Sequence, residues 1–87
     1  MNDQQRREQR TATYNNAEHR HRLAARIGTE IATRRTQAGI TPEQIEQLIG
    51  IKPKRLADIE AGKFLPSPDT LEAIAQCIGY HLELVKN

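Results

Sequence analysis

Apolar residues are sparse until Leu23 and then recur with helical spacing. Leu23, Ile27 and Ile31 stand at i, i+4 and i+8, which lays one apolar stripe along a helix beginning at Ala17, with Asn15 or Asn16 available as its N-cap. That helix is predicted to end near Ala38, where Gly39 supplies the positive φ of a C-terminal cap. Thr41-Pro42-Glu43-Gln44 form a capping box with proline at the first helical position, and Ile40 and Ile45 occupy the two staple positions. Ile45, Leu48 and Ile49 are the expected inward face of this second helix, which Gly50 closes. A third helix starts at Pro53 with Ile51 and Leu56 as its staple. Lys52 is a poor cap residue, so proline and packing are expected to hold that start.

Gly62 ends the third helix, and Phe64 and Leu65 are expected to fold back onto the core. Ser67-Pro68-Asp69 caps a fourth helix whose Leu71, Ile74 and Ile78 share a face, and Gly79 ends it. The closing "HLELV" alternates, with Leu82 and Leu84 on one side, a short strand pattern. One strand is not stable alone, and no other segment reads as its partner, so the expected partner is a second copy of the chain. Residues 1–16 contain almost nothing to bury and read as a flexible Arg/Gln-rich arm.

Composition narrows the class. The 87 residues make one small domain, and the apolar content is Leu, Ile and Ala with one Phe, two Tyr and no Trp, which suits a helical bundle better than a sheet. The single cysteine, Cys77, excludes an internal disulfide and fits a reducing compartment. No apolar run approaches the ~20 residues that span a membrane, and the N-terminus is too polar for a signal peptide; a soluble cytoplasmic protein is expected. Residues 1–35 carry eight arginines against four acids, or +4, whereas residues 36–87 carry five basic groups against seven acids, or −2. Such a balance is compatible with nucleic acid and equally with solvated helices. The lone serine, Ser67, is accounted for as a cap and Cys77 as core. With no phosphate loop, carboxylate pair or metal-ligand spacing, no enzyme activity, cofactor or metal is expected. His19 and His21, two apart on a helix, point away from each other and make a poor metal pair.

The matching residues are Ile27-Gly28, Ile31, Arg35, "AGIT" at 38–41, Ile45, Leu48, Gly50-Ile51, Ile59-Glu60, Gly62, Pro66, Leu71, Ile74 and "IGYHLELV" at 78–85. In that order the chain resembles the Cro/CI-type (Xre-like) helix-turn-helix family from about Leu23 to Val85, and its closing strand resembles the end of HipB-like antitoxins. The resemblance implies an all-α, compact four- to five-helix lambda-repressor-like DNA-binding domain with a short C-terminal β-strand, paired across a dimer through Leu82 and Leu84. It divides the chain into the arm at 1–16, the helix-turn-helix domain at 17–80 and a strand or tail at 81–87. It also implies a clamp in which Arg35 on the first helix meets Glu60 at the end of the third. Five positions depart from the family pattern. Pro42 replaces a Gln or Ser that contacts the DNA backbone, Glu46 a small residue, and Arg34 a common leucine, while Pro53 and Asp58 stand where polar base readers are frequent.

On a helical wheel Leu56, Ile59 and Glu60 cluster inward, which leaves Lys52, Pro53, Lys54, Arg55, Ala57 and Asp58 to face a partner. In this motif's docking geometry that face enters the major groove. There Lys54 can donate to guanine, Asp58 can accept from cytosine N4, and Ala57 can touch a thymine methyl. Lys63 in the following loop is a candidate phosphate contact, as are Thr41 and Gln44 and the backbone amides at the starts of the second and fourth helices. Arg6, Arg7 and Arg10 of the arm either follow the DNA or belong to a solubilising tail; Arg20, Arg22 and Arg26 form a solvated basic face. The leading expectation is a homodimeric, repressor-like regulator, nucleoid-associated in the cytoplasm, on a pseudo-palindromic double-stranded operator. The alternative is an antitoxin-like or protein-interaction module, with a partner such as a toxin, that keeps the fold with weak or no DNA reading.

Overall fold

Backbone termini and small residues dictate how this chain turns. In the computed structural model, which describes residues 17–83 and Lys86, four helices follow one another: α1 Ala17–Ala38, α2 Pro42–Ile49, α3 Pro53–Glu60 and α4 Pro68–Cys77. The arm at 1–16, Leu84, Val85 and Asn87 lie outside the described residues.

Each short helix starts on a local signal. Thr41 Oγ1 accepts from the Gln44 backbone N–H at 3.1 Å while Gln44 Oε1 accepts from the Thr41 N–H at 2.8 Å, so the box is closed in both directions. Ser67 Oγ accepts from the Thr70 N–H at 3.2 Å at the head of α4. Lys52 makes no side-chain cap bond, and α3 starts on Pro53 with Ile51 and buried Leu56 packed behind it.

All four helices feed one core. Ile45, Leu56, Ile59 and Ile74 are fully enclosed, Ile31 and Ile78 nearly so, and Ile27, Ile40, Ile49, Ile51, Leu71 and Cys77 pack around them. Each enclosed side chain contributes roughly 2 kcal/mol.

Three apolar expectations are corrected. The buried line of α1 is Ala24, Gly28 and Ile31, with Leu23 and Ile27 half-exposed beside it. At Gly28 the reason is that α1 meets the α3 backbone too closely for any side chain. Leu48 is 62% exposed; it lies about 60° from Ile45 on the side away from Ile49, and α2 turns the Ile45–Ile49 edge inward. In the loop after α3 the buried residues are Gly62 and Pro66, not Phe64 and Leu65, which remain exposed. Phe64 instead lies under the guanidinium of Arg55, 5.4 Å from its ring centre.

Among the described residues there is no strand: 81–83 form none. The chain after Gly79 is tied back by Tyr80 N–H to the Ala75 carbonyl at 2.8 Å, and by Leu82 N–H to Glu72 Oε2 at 2.8 Å. A side-chain carboxylate thus takes a backbone donor that a strand ladder would use. Arg34 adds a bond to the Tyr80 hydroxyl at 2.9 Å and lies over its ring.

Candidate nucleic-acid interface

The outward face of α3 is positioned by three contacts on its inward side. Gly28 brings α1 against the last turn of α3: a Cβ at that position would collide with the Ile59 carbonyl oxygen and stand 2.7 Å from that of Glu60. Gly62 repeats this at the exit, its φ of +75° combined with a site where a Cβ would come within 2.7 Å of the Ala25 Cα.

The third contact is the Arg35–Glu60 pair. Arg35 Nε donates to Glu60 Oε2 at 2.6 Å, Nη2 donates to Oε1 at 3.0 Å, and Nη1 donates to the Ile40 carbonyl at 2.9 Å. One guanidinium thereby ties together α1, the α1–α2 turn and the end of α3. The pair is largely enclosed, with 16% and 14% of the side chains exposed. The Glu60 carboxylate raises the Arg35 pKa further above its ordinary value, the hydrogen bond first and burial opposing it. Glu60 is therefore neutralised within the protein and does not present charge to a partner.

With Leu56, Ile59 and Glu60 turned inward, Lys52, Lys54, Arg55 and Ala57 are exposed, and Pro53 is half-buried at the start of the helix. Asp58 is drawn between two lysines, with Oδ1 3.2 Å from Lys63 Nζ and Oδ2 3.6 Å from Lys54 Nζ. Lys63 is thus placed beside the helix face rather than on a separate lobe. Thr41 and Gln44 are exposed at the head of α2; Thr41 Oγ1 and Gln44 Oε1 accept within the capping box, which leaves the Thr41 O–H and the Gln44 NH2 group to donate elsewhere. Lys54–Asp58 is legible in the sequence as an i, i+4 pair; Asp58–Lys63 and Arg55–Phe64 depend on the path of the loop and carry no periodic signal.

A shallow apolar groove of about 760 Å³ runs between α1 and α4, bordered by Leu23, Ile27, Leu71, Tyr80 and Leu82. It shares no residue with the α3 face. Among the described residues no group of three or more His, Cys, Asp or Glu could hold a metal ion, and no helix is long and apolar enough to cross a membrane. Burial pushes the Cys77 thiol pKa up, which favours the protonated, unreactive form.

A helix-turn-helix family model matches residues 31–85, which spans the clamp, α2, α3 and α4. The chain belongs to the Xre/Cro-CI-like helix-turn-helix family. In this helix-turn-helix protein α2 and α3 are the two short helices joined through Gly50, with α1 packed on α3 and α4 on α2. A Sinorhizobium fredii protein named as the uncharacterized HTH-type transcriptional regulator y4dJ is 35% identical over 60 residues, covering 68% of this chain and 78% of its own length. No solved structure matches the chain.

Among the described residues of this helix-turn-helix protein, two carboxylates are held below their usual range. Asp58 is lowered first by the hydrogen bond from Lys63 and then by the charge of Lys54; Glu72 is lowered first by the Leu82 N–H and then by the Gln76 side chain. A carboxylate with a depressed folded-state pKa adds stability above its unfolded value, near pH 4, and that stability is lost as pH falls through the folded value. Thermal midpoints measured by circular dichroism are therefore expected to drop between about pH 5 and pH 3, and to drop less steeply in Glu72→Gln. A Glu72→Gln protein with the wild-type pH profile would remove the Leu82 tether from the account.

Proposed function

We propose that the protein is a sequence-specific DNA-binding transcriptional regulator, repressor-like, that inserts α3 into the major groove of a pseudo-palindromic operator. The observation that carries this reading is the α3 face itself. It is pinned from behind by Gly28 and the Arg35–Glu60 pair, and it presents Lys52, Lys54, Arg55 and Ala57 outward, with Lys63 beside it. Membership of the helix-turn-helix family and a relative named as a transcriptional regulator support the same reading. Lys54 and Arg55 are the candidate base or phosphate donors, and Thr41, Gln44 and Lys63 flank them as backbone contacts. The arm at 1–16 is a further basic segment that can follow the duplex. No cofactor or catalytic step enters this function, and its setting is the cytoplasm, on the nucleoid.

A homodimer would place two α3 helices about 34 Å apart in successive major grooves. Its proposed seam is the C-terminal segment carrying Leu82 and Leu84, as in the HipB-like resemblance. Exposed Leu82 at the edge of the apolar groove favours that seat.

A second reading is an antitoxin-like or interaction module that binds a protein such as a toxin. Exposed Leu48, Phe64 and Leu65 favour it, being apolar surface that the domain's own core does not use.

Fluorescence anisotropy on duplexes taken from upstream of the protein's own coding region separates the two. A DNA regulator is expected to bind with log K falling linearly against log salt, by about 0.9 per phosphate neutralised. Lys54→Ala should weaken that binding and reduce the slope if Lys54 meets phosphate, or relax base preference if it meets guanine. Binding that is absent, or indifferent to salt, would refute the DNA reading.

A further inference from the structure

Asp58 is the acid on the outward face of α3, since Glu60 is consumed by Arg35. Each of its oxygens faces a different lysine, one a helical turn back and one in the loop beyond: Oδ2 to Lys54 at 3.6 Å, Oδ1 to Lys63 at 3.2 Å. The Lys63 backbone N–H also donates to the Asp58 carbonyl at 3.0 Å, so the loop is anchored to the same residue twice. The Asp58 side chain is 26% exposed, whereas those of Lys54 and Lys63 are 88% and 67% exposed. The acid is the inner member of the cluster and the lysines are its outer shell. A carboxylate that accepts from cytosine N4 must turn an oxygen to the base edge. Here both oxygens are turned to ammonium groups.

We propose that Asp58 is an internal counter-ion that competes with DNA phosphate for Lys54 and Lys63, lowering affinity for any duplex, and is not a base reader. This rests on the DNA-binding surface proposed above. A phosphate that approaches either lysine meets a charge already partly neutralised, so fewer condensed counterions are released per contact. The penalty is the same on every sequence. It lowers non-specific binding, which is almost entirely phosphate contact, and specific binding by the same factor, so their ratio is left to other residues. Asp58 thus sets overall affinity, leaving Lys52, Arg55 and Ala57 to discriminate.

The test is Asp58→Asn, which keeps the shape and removes the charge. The full chain is titrated against two duplexes of roughly 25 base pairs, long enough for two half-sites one turn apart. One is drawn from upstream of its own coding region; the other is a scrambled sequence of the same composition. Asp58→Asn is expected to bind both more tightly, roughly tenfold near 0.1 M salt, with a slope steeper by about 1 to 2 as two lysines become free. A second arm uses Lys63→Ala, which should reduce the salt slope less in the wild-type background than in Asp58→Asn. Thermal melts of each variant establish that it is folded, and the lysine arm stays informative should Asp58→Asn prove unstable, because Lys63→Ala alone then reduces the wild-type slope by clearly less than about 0.9. Unchanged or weaker binding of the scrambled duplex by Asp58→Asn overturns the counter-ion role. Weaker binding confined to the upstream duplex also overturns it and assigns Asp58 to base reading. If neither the wild type nor Asp58→Asn binds either duplex at any salt, the DNA reading itself fails. Wild-type binding that the substitution leaves unaltered fails only the inference about Asp58.

Discussion

Glu60→Ala is expected to lower the unfolding free energy by about 3 kcal/mol, the cost of breaking an enclosed ion pair from one side. The substitution strips two of the three hydrogen bonds from the Arg35 guanidinium and leaves the Ile40 carbonyl as its remaining partner. The stranded cation must then either stay in a site built for a carboxylate or swing out and uncover the α1–α3 seam. Arg35→Ala should cost a similar amount, since it leaves both Glu60 and the Ile40 carbonyl without their donors. The double variant should cost clearly less than the two losses added, because each single change already forfeits the same pair. Arg35→Lys is not expected to rescue, as an ammonium cannot donate to both oxygens in the planar fork that Nε and Nη2 make. Urea denaturation reads these values, provided the m-value stays constant across the set. A loss under about 1 kcal/mol would class the pair with exposed surface bridges.

What could be read from the residues was whatever is decided within one helical turn. Thr41 with Gln44, Ser67 with Thr70, and the prolines at the heads of α2, α3 and α4 set their local geometry without distant neighbours. Leu48 was misplaced because periodicity gives a helix an apolar side without saying how far that side rotates toward its neighbours. Leu23 and Ile27 mark the stripe in the sequence while Ala24 and Gly28 are the buried positions, for a related reason. Apolar volume marks a stripe, whereas the closest helix–helix approach selects for missing volume. Phe64 could not be placed from its hydrophobicity, because the cation that covers it is Arg55, nine residues earlier and on another element. The meeting of Arg35 with Glu60 came from the family resemblance; nothing in their spacing demands it. Asp58 was visible as an odd charge on the candidate reading face. Its second lysine was not, because Lys63 reaches it only through the turn at Gly62.

Gly28→Ala is expected to destabilise the fold by about 2 kcal/mol, although alanine is the better helix former. In an exposed helix the change would be worth up to about 1 kcal/mol in the opposite direction. Gly28 is not at positive φ, so an alanine would suffer no backbone strain of its own. The whole penalty comes from space. The added carbon would strike the Ile59 carbonyl oxygen and crowd that of Glu60, and these are backbone atoms that cannot rotate out of the way. Relief requires α3 to move away from α1, and the residues that would be carried with it are Glu60, whose carboxylate is set 2.6 Å from Arg35 Nε, and the turn at Gly62, packed on Ala25. Gly28→Ala and Glu60→Ala should therefore be non-additive: once α3 has shifted, less of the clamp remains to be lost. Chemical denaturation of the two single variants and the double measures the coupling. A Gly28→Ala protein as stable as the wild type would mean that α1 and α3 stand further apart than this contact places them, and that the α3 face is held by the clamp and the Gly62 turn.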